Sequence, residues 1–301
     1  MSRLPVEYRN LMMFDDEGEY CLDVLPLPLF AAEPNLMDNF DPMQSSTSRP
    51  LIIAGPCLVE SRDVIMHVAE HLANICADLP VDLVLKGSYR KANRTSAGSF
   101  QGIGDLAALE YLHEAGKTIG ARTLTDIHAD AEAAMAAAYV DVLQIPAFLS
   151  RQTSLLEAAA RTGKTVNIKK AQFMAPDDMA KAAAKVVGAG NTSVWLTERG
   201  TSFGYHDLVV DFRSLVIMRS AGYPVIFDAT HSVQQPSVGA QSGGKREFIP
   251  ALARAAAAVG IDGLFFETHP NPASALSDAA TQLPLSEAKD FLSMVLDHWH
   301  R

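Results

Sequence analysis

Short apolar runs alternate with longer amphipathic segments eight times between residues 51 and 298, and this alternation constrains the fold more than any other feature. The runs are four or five residues long and rich in Val, Ile, Leu and Phe, which is typical of buried strands. They cover residues 51–54, 81–85, 121–124, 141–145, 165–168, 193–196, 224–228 and 263–266. The segments between them are rich in Ala and Leu and predict helices. These lie near residues 62–78, 105–117, 129–138, 151–162, 176–188, 207–220, 246–259 and 286–298.

Strict alternation of eight strands with eight helices predicts an α/β fold, namely a (β/α)8 TIM barrel. A doubly wound open sheet is the alternative. Such a sheet rarely needs eight regular units, and no GxGxxG motif follows the first predicted strand. In a barrel, the residues that directly follow the strands meet on one face, where barrel enzymes carry their active sites. We therefore look for functional residues at these positions.

Residues 1–49 differ from the rest of the chain because they show no sustained periodicity. They are rich in Asp, Glu, Pro, Met and Asn, and a Gln-Ser-Ser-Thr-Ser linker comes shortly before Pro50. This composition predicts a poorly ordered or loosely packed N-terminal extension. The catalytic barrel domain is predicted over residues 50–301.

Charge and cysteine usage exclude several classes of protein. The formal net charge of −10 argues against general nucleic-acid binding, which needs a basic face. No apolar run approaches the roughly 20 residues of a membrane span, and the N-terminus lacks a signal-peptide pattern. Cys21, Cys57 and Cys76 are widely spaced and form no CxxC motif, which favours a reduced, cytoplasmic protein.

Cations gather where predicted strands end, which indicates a local anion site on an otherwise acidic chain. Those after three different strands are Lys86, Lys91, Lys169 and Arg199. They would suit a small substrate that carries both phosphate and carboxylate, with Lys as point charges and Arg as a fork. Salt bridges to Glu198, Asp126 and Asp228 are the alternative. We favour the anion site because the carboxylates at these strand ends are too few to neutralise every cation.

A second set of strand-end residues could bind a metal ion. Its members are Cys57, His231, Glu267 and Asp278. One thiolate, one imidazole and two carboxylates suit Fe²⁺, Zn²⁺, Mn²⁺ or Co²⁺ better than Mg²⁺. The four residues are far apart in sequence, so their spacing does not establish a site. A buried cysteine is also a common apolar filler, and both interpretations of Cys57 stay open at this point.

A third set, Asn93, Arg94, Thr95 and Ser96, predicts a sugar-phosphate clamp. An Asn-Arg pair with flanking hydroxyls can hold a phosphate and the neighbouring hydroxyls of a sugar. A helix N-cap at Thr95 or Ser96 is the structural alternative, and it does not exclude the clamp.

Motifs after six of the strands make the sequence resemble the 3-deoxy-D-manno-octulosonate 8-phosphate (KDO8P) synthases. They are KANRTS, QIPAFLSRQT, VNIKKAQFMAP, ERGTSFGY with LVVDFR, FDATHSVQ with AQSGGKREF, and FFETHPNP with SDAATQLPL. The resemblance covers roughly residues 51–298. It implies condensation of phosphoenolpyruvate with D-arabinose 5-phosphate and water, which gives KDO8P and phosphate in the biosynthesis of the lipopolysaccharide sugar KDO.

Two other functions remain as alternatives. The related 3-deoxy-D-arabino-heptulosonate 7-phosphate (DAHP) synthases use erythrose 4-phosphate and share the barrel and the GPC opening. They typically carry a KPRTS-like motif where this chain has KANRTS, which favours the KDO8P type. A non-catalytic sugar-phosphate-binding barrel is the alternative from another class of protein.

The resemblance also implies roles for individual residues. The phosphoenolpyruvate-binding set is Lys86, Lys91, Gln144, Ala147, Lys169 and Arg199. Asn93, Arg94 and Thr95 correspond to the aldose-phosphate set, and Asp126 to an active-site Asp after the third strand. The residues expected to act in catalysis are Lys169, His231, Cys57, Asp278 and Asn93.

Cys57 assigns the chain to one of two classes in this family. Metal-dependent members carry Cys in the motif after the first strand, whereas metal-independent members carry Asn. Cys57 and the SDAATQLP context of Asp278 therefore imply a divalent metal ion held by Cys57, His231, Glu267 and Asp278. The family further implies a homotetramer. His206 stands where Asn or Asp is more usual, and we assign it no role.

Overall fold

The structure is a computed structural model that describes residues 13–14, 20–21, 49–92, 100–235 and 243–299. Eight parallel strands in this part of the chain form a barrel. They are β1 (Leu51–Gly55), β2 (Asp82–Lys86), β3 (Arg122–Asp126), β4 (Val142–Ile145), β5 (Thr165–Lys169), β6 (Val194–Glu198), β7 (Val225–Asp228) and β8 (Gly263–His269). Each strand begins within one residue of its predicted start.

The sheet closes on itself. Neighbouring strands pair in chain order, and β8 pairs with both β1 and β7. Glu267 of β8 lies opposite Gly55 of β1, and Phe265 lies opposite Asp228 of β7. Closure leaves no unpaired edge among the eight strands. The predicted (β/α)8 TIM barrel is confirmed, and the doubly wound open sheet is excluded.

Within the described residues, eight α-helices follow the strands. They are α1 (Arg62–Ala77), α2 (Asp105–Ile119), α3 (Ala133–Ala137), α4 (Thr153–Arg161), α5 (Asp178–Gly188), α6 (Arg213–Ser220), α7 (Ile249–Val259) and α8 (Ala288–Leu296). The Ser61 hydroxyl starts α1 by accepting a hydrogen bond from the backbone N–H of Val64 at 3.2 Å. Gly120 ends α2 in the left-handed conformation, with φ of 65°.

The prediction of a helix over residues 207–220 is wrong in its first part. Asp207–Val209 instead pairs in an antiparallel hairpin with Thr201–Phe203. The sequence DLVV contains two β-branched valines, which suit a strand. The helix α6 begins only at Arg213, whose backbone N–H donates to the Asp211 carboxylate at 3.0 Å.

Apolar side chains pack in two layers, one inside the barrel and one between the strands and the helices. The inner layer consists of Ile53, Val84, Leu124, Val142, Ile226 and Phe265. Because side chains alternate along a strand, Ile52 and Ala54 on β1 belong to the outer layer. Full burial of a side chain such as Phe265 contributes about 1.5–3 kcal/mol. The inner layer fills the barrel below the site that is described next.

The substitution Gly116→Ala should destabilise the fold, although alanine favours a helix. A Cβ at this position of α2 would lie 2.2 Å from the Thr123 methyl group and 3.1 Å from the Ala121 carbonyl oxygen. Overpacking of this kind lowers stability by about 1–3 kcal/mol, whereas the higher helix propensity of alanine raises it by roughly 1 kcal/mol. We expect a net loss of up to about 2 kcal/mol in the free energy of unfolding, measured with denaturant.

Gly188→Ala in α5 is the matched control, since a Cβ there would meet no atom within 4 Å. We expect this variant to be as stable as the wild type or up to about 1 kcal/mol more stable. Equal effects of the two substitutions would contradict the contact with Thr123.

The chain divides into two compact units, Met1–Phe40 and Asp41–Arg301. In the first, Met13–Phe14 pairs with Tyr20–Cys21 in an antiparallel arrangement. Apart from Arg49, the rest of the predicted extension lies outside the described residues, and the boundary at residues 49 and 50 stays a prediction. No helix of the described part combines the length and the apolar character that a bilayer span requires.

Candidate active site

Five strands place a polar side chain two residues after an apolar residue of the inner layer. The pairs are Val84 with Lys86, Leu124 with Asp126, Val142 with Gln144, Ile226 with Asp228, and Phe265 with Glu267. Residues two apart on a strand face the same side, so these polar groups also point into the barrel. A buried polar layer therefore covers the apolar layer at the carboxyl ends of the strands.

Part of this layer is a continuous row of hydrogen bonds across the barrel wall. The Thr197 hydroxyl donates to Asn167 Oδ1 at 2.6 Å, and Asn167 Nδ2 donates to Gln144 Oε1 at 2.9 Å. Gln144 Nε2 and the Ser88 hydroxyl then donate to the two oxygens of Asp126. All five side chains are buried. Asp126 and Gln144 are predicted site residues, whereas the supporting roles of Asn167 and Thr197 were not predicted.

Asp126 is held in its ionised form. Burial alone would raise the pKa of this carboxyl, but Lys86 and Lys91 outweigh that effect and hold the pKa well below its usual range. An ionised carboxylate also accepts both hydrogen bonds of the row. Asp126 therefore contributes a fixed negative charge between two cations of the predicted anion site.

The substitution Asp126→Asn should weaken the dependence of stability on pH in acid. Because the pKa of Asp126 is lower in the folded chain than the unfolded value of about 3.9, its stabilising contribution is fully present above about pH 4 and is lost as the pH falls through the folded value. Each unit of lowering corresponds to about 1.4 kcal/mol. The free energy of unfolding, measured at successive pH values, should fall less steeply in acid for Asp126→Asn. Exposed Asp130→Asn is the control and should keep the wild-type profile.

Lys169 forms a cluster with Asp228 and His231, of which Lys169 and Asp228 are buried and His231 is partly exposed. Lys169 Nζ lies 2.6 Å from Asp228 Oδ2, 3.5 Å from His231 Nδ1 and 3.8 Å from the centre of the Phe265 ring. His231 Nδ1 lies 2.8 Å from the same carboxylate oxygen. Burial would raise the pKa of Asp228, but His231 and Lys169 hold it below its usual range. Since Asp228 engages Nδ1, Nε2 of His231 faces Glu267 Oε1 at 3.8 Å.

Lys86 is fully inside the barrel, where its ammonium group joins two strand ends. Lys86 Nζ donates to Glu267 Oε1 at 2.5 Å and to the Cys57 carbonyl oxygen at 2.9 Å. Burial would raise the pKa of Glu267, but Lys86, followed by His231, lowers it below the usual value. Salt bridges thus pair Lys86 with Glu267 and Lys169 with Asp228, and the second pair is one that the salt-bridge alternative names.

Three of the predicted metal ligands lie together. One ligand atom from each of Cys57, Glu267 and Asp278 lies within 4.8 Å of the other two. The Cys57 thiol donates to Asp278 Oδ2 at 3.0 Å. His231 is outside this group of three, but its Nε2 lies 3.8 Å from Glu267 Oε1. The assignment of these four residues as ligands stays a prediction.

The chemistry of these residues fits a divalent cation. Glu267 Oε2 is buried and has no hydrogen-bond partner within the described part of the chain. Burial, followed by the charges of Asp278 and Glu267, raises the pKa of the Cys57 thiol well above its usual value. A cation among these groups would stabilise the thiolate and pair with the free carboxylate oxygen. The Asp278 backbone has φ of 46°, a conformation that a residue other than glycine adopts only when its surroundings fix it.

Two further side chains fix the loop that carries Asp278. Buried Gln282 accepts a hydrogen bond from the Cys57 N–H at 3.1 Å and donates to the Ser277 carbonyl oxygen at 2.8 Å. Glu60 accepts from the Leu276 N–H at 2.7 Å. Both contacts join the segment after β1 to the segment after β8. The sequence did not single out either residue for this role.

Arg199 is oriented by a buried network after β6. The Glu198 carboxylate accepts hydrogen bonds from the backbone N–H groups of Arg199 and Gly200 and from the Ser214 hydroxyl. Buried Lys170 lies 3.5 Å from the same carboxylate. Arg199 Nη1 is buried and has no hydrogen-bond partner among the described residues. An anionic ligand would supply that partner.

The ends of the loop with the predicted sugar-phosphate clamp are fixed on the barrel. The Lys91 N–H donates to the Gln101 carbonyl oxygen at 2.9 Å, and Arg90 forms ion pairs with Asp105 and Glu132. Burial would lower the pKa of Lys91, but Cys57 and the nearby carboxylates outweigh it and raise the pKa. The clamp residues themselves lie outside the described residues; they are Asn93, Arg94, Thr95 and Ser96.

The two remaining residues singled out in the sequence lie in different surroundings. Ala147 is buried and begins the short 3₁₀ helix Ala147–Leu149, directly after β4. Its assignment to the phosphoenolpyruvate-binding set stays a prediction. His206 is exposed in the turn of the hairpin between Phe203 and Asp207.

Comparison with known proteins agrees with the motifs. Residues 37–299 match the DAHP synthetase I family. A protein of Nitrobacter hamburgensis is 57% identical over 242 residues, which cover 79% of this chain and 84% of that protein. Proteins of Trichlorobacter lovleyi and Francisella philomiragia are 53% and 51% identical, and the matches cover 79% and 82% of this chain and 88% and 91% of those proteins.

All three relatives are named 2-dehydro-3-deoxyphosphooctonate aldolase, which is another name for KDO8P synthase. The resemblance inferred from KANRTS and the other strand-end motifs is confirmed. The matches also extend over most of the length of the chain. This chain therefore belongs to the DAHP synthetase I family, in the group of the 2-dehydro-3-deoxyphosphooctonate aldolases.

Proposed function

We propose that this chain condenses phosphoenolpyruvate with D-arabinose 5-phosphate and water to give KDO8P and inorganic phosphate. The observation that carries the proposal is the cluster at the carboxyl ends of the strands. There, the buried cations Lys86, Lys169 and Arg199 lie at the same ends of the strands as a thiol and two carboxylates. The names of the relatives favour this reaction over the DAHP alternative.

The cations would bind the phosphate and the carboxylate of phosphoenolpyruvate. Arg199 offers an unpartnered Nη1, and Lys169 and Lys86 would exchange part of their contact with Asp228 and Glu267 for the substrate. Carbon 3 of phosphoenolpyruvate then attacks the aldehyde, and positive charge develops at carbon 2. Water adds there, and phosphate leaves by cleavage of the C–O bond. Holding both substrates in reacting geometry can supply about 7–11 kcal/mol.

The cluster of Lys169, Asp228 and His231 contains groups that can transfer protons during the reaction. Asp228 Oδ2 accepts hydrogen bonds from Nδ1 of His231 and from Nζ of Lys169, so it fixes the orientation of both side chains. We propose that Lys169 Nζ donates a hydrogen bond or a proton to the departing phosphate. The tetrahedral centre at carbon 2 would form beside this ammonium group.

We further propose that Cys57, His231, Glu267 and Asp278 hold a divalent metal ion, namely Fe²⁺, Zn²⁺, Mn²⁺ or Co²⁺. The unpartnered oxygen of Glu267 and the orientation of His231 Nε2 support this set. Such an ion, when bound, acts as a Lewis acid that can orient the aldehyde oxygen or activate a water molecule.

The assembly and location of the protein are further proposals. Large exposed aromatic side chains on the loops after β4, β5 and β6 support a homotetramer; they are Phe148, Phe173 and Phe203. The free thiols of Cys57 and Cys76 support a reduced compartment, the cytoplasm. KDO8P would there enter the biosynthesis of the lipopolysaccharide sugar KDO.

Phosphate release from phosphoenolpyruvate plus D-arabinose 5-phosphate tests this function. We expect release with the purified chain, its loss after chelation and its return when Mn²⁺ or Zn²⁺ is added. Phosphate release that does not change on chelation would support the synthase activity and contradict the proposed metal ion. Release with erythrose 4-phosphate in place of arabinose 5-phosphate would indicate a DAHP synthase. Binding of both substrates without release would indicate a non-catalytic barrel.

A further inference from the structure

Gln234 lies between the predicted anion site and the predicted metal ligands. Its Oε1 accepts a hydrogen bond from Arg199 Nη2 at 3.1 Å, and its Nε2 donates to Asp278 Oδ1 at 3.0 Å. The residue directly follows the short helix His231–Val233 after β7. One side chain therefore joins a cation after β6 to a carboxylate after β8.

The two contacts fix the orientation of the Gln234 amide. A guanidinium group only donates hydrogen bonds, and an ionised carboxylate only accepts them. The amide must therefore present its oxygen to Arg199 and its nitrogen to Asp278. Neither a carboxylate nor an apolar side chain of similar size could make both contacts.

The connection continues from Asp278 to Cys57. While Oδ1 of Asp278 accepts from Gln234, Oδ2 accepts from the Cys57 thiol at 3.0 Å. Both predicted ligands would therefore be affected by a displacement of the Gln234 amide. Since the strained backbone of Asp278 has φ of 46°, its carboxylate position depends on such contacts.

The segments around Gln234 pack tightly against the loop that carries Asp278. A displacement of Gln234 would therefore also move that loop. Gln234 pairs with Gly244, where a Cβ would lie 2.1 Å from the Thr281 methyl group. Arg246 Nη2 donates to the Ala279 carbonyl oxygen at 2.5 Å. The strand pair after β7 is thus packed directly on the loop that carries Asp278.

We propose that Gln234 is a positioning residue that couples phosphoenolpyruvate binding at Arg199 to divalent metal binding at Cys57, Glu267 and Asp278. The inference rests on the proposed function. Phosphoenolpyruvate would engage the Arg199 guanidinium and change its hydrogen bond to Gln234. Through the amide, this change repositions Asp278 for the metal ion. By linkage, the metal ion must raise the affinity for phosphoenolpyruvate by the same factor.

The test is the affinity for Mn²⁺ with and without saturating phosphoenolpyruvate, with arabinose 5-phosphate omitted so that no turnover occurs. The ratio of the two affinities is the coupling factor. We expect about fivefold or more for the wild type, and a fall of about fivefold or more in that factor for Gln234→Leu. Direct attraction between the ion and the substrate persists in the variant, so the difference reports on the amide.

Gln235→Leu is the matched control, because Gln235 is the neighbour in the same short strand and its Nε2 donates outward to Asp207 at 2.9 Å. Its coupling factor should stay within about twofold of the wild type. If Gln234→Leu does not fold, the same measurement on Gln234→Asn tests the proposal, since its shorter side chain cannot contact both Arg199 and Asp278. Wild-type coupling in both Gln234 variants, or no coupling in the wild type, would overturn the proposal.

The same titrations separate this inference from the function on which it rests. Independent binding of Mn²⁺ and phosphoenolpyruvate would refute the coupling and leave the proposed site intact. If no Mn²⁺ binds, or no phosphoenolpyruvate, the proposed site fails and the coupling fails with it.

Discussion

The substitution Lys169→Met should reduce kcat by about 10²–10⁴-fold, the range expected when a group that transfers a proton or stabilises developing charge is removed. Lys169 Nζ lies within 3.5 Å of both Asp228 and His231, and the ammonium group also lies over the Phe265 ring. Methionine fills a similar volume but supplies neither charge nor donor. The loss should appear in single-turnover phosphate release, where product dissociation does not limit the rate.

Stability must be measured on the same variant, because buried Asp228 loses one of its two side-chain hydrogen-bond partners. Removing one member of a buried ion pair costs about 3–5 kcal/mol when the other is left unpaired. Asp228 keeps His231, so we expect a smaller loss and a folded protein. Lys164→Met is the control, since Lys164 precedes β5 at the opposite end of the barrel. If Lys169→Met keeps the turnover of Lys164→Met, Lys169 has no part in the chemistry.

The substitution Cys57→Asn should weaken Mn²⁺ or Zn²⁺ binding by more than about 100-fold, because loss of a supporting contact alone typically costs 10–100-fold. The thiol belongs to the group of three predicted ligands, and no other cysteine of the described residues does. Metal content after dialysis measures the effect directly. Buried Cys76→Ser at the end of α1 is the control and should retain its metal.

Wild-type metal affinity should also rise with pH, because burial and the neighbouring carboxylates raise the pKa of Cys57 and the thiol must lose its proton to bind a metal ion. In Cys57→Asn, metal binding should no longer require the loss of this proton, so metal affinity should rise less steeply with pH. Unchanged metal content in Cys57→Asn would show that Cys57 is not a ligand, and would leave it as a packing residue.

The fold was predictable because the sequence shows two regular patterns. Apolar runs alternate with helical segments along the chain, and side chains alternate between the two faces of each strand. Each apolar run begins within one residue of a strand start, and a polar residue two positions after an inner-layer residue also points into the barrel. That rule alone identifies Lys86, Asp126 and Glu267. The error at residues 207–220 arose because a two-stranded hairpin and a helix start are equally compatible with a short mixed segment.

Supporting amides were harder to find. Asn167 lies inside an apolar run, where a single polar residue does not change the pattern that predicts a strand, and Thr197 directly follows such a run. Gln234 and Gln282 owe their roles to contacts between loops that are distant in sequence. Hydrogen-bond partners of this kind depend on the closed barrel and cannot be inferred from local spacing.

The row from Thr197 to Asp126 also has a direction. Each member donates to the next, and the row ends on a carboxylate that accepts from both sides. Hydrogen bonds that point the same way polarise one another. A change at Thr197 on β6 would therefore alter the basicity of a carboxylate on β3, three strands away. The barrel wall is thus a route for tuning the acid–base balance of the pocket from residues that no substrate touches.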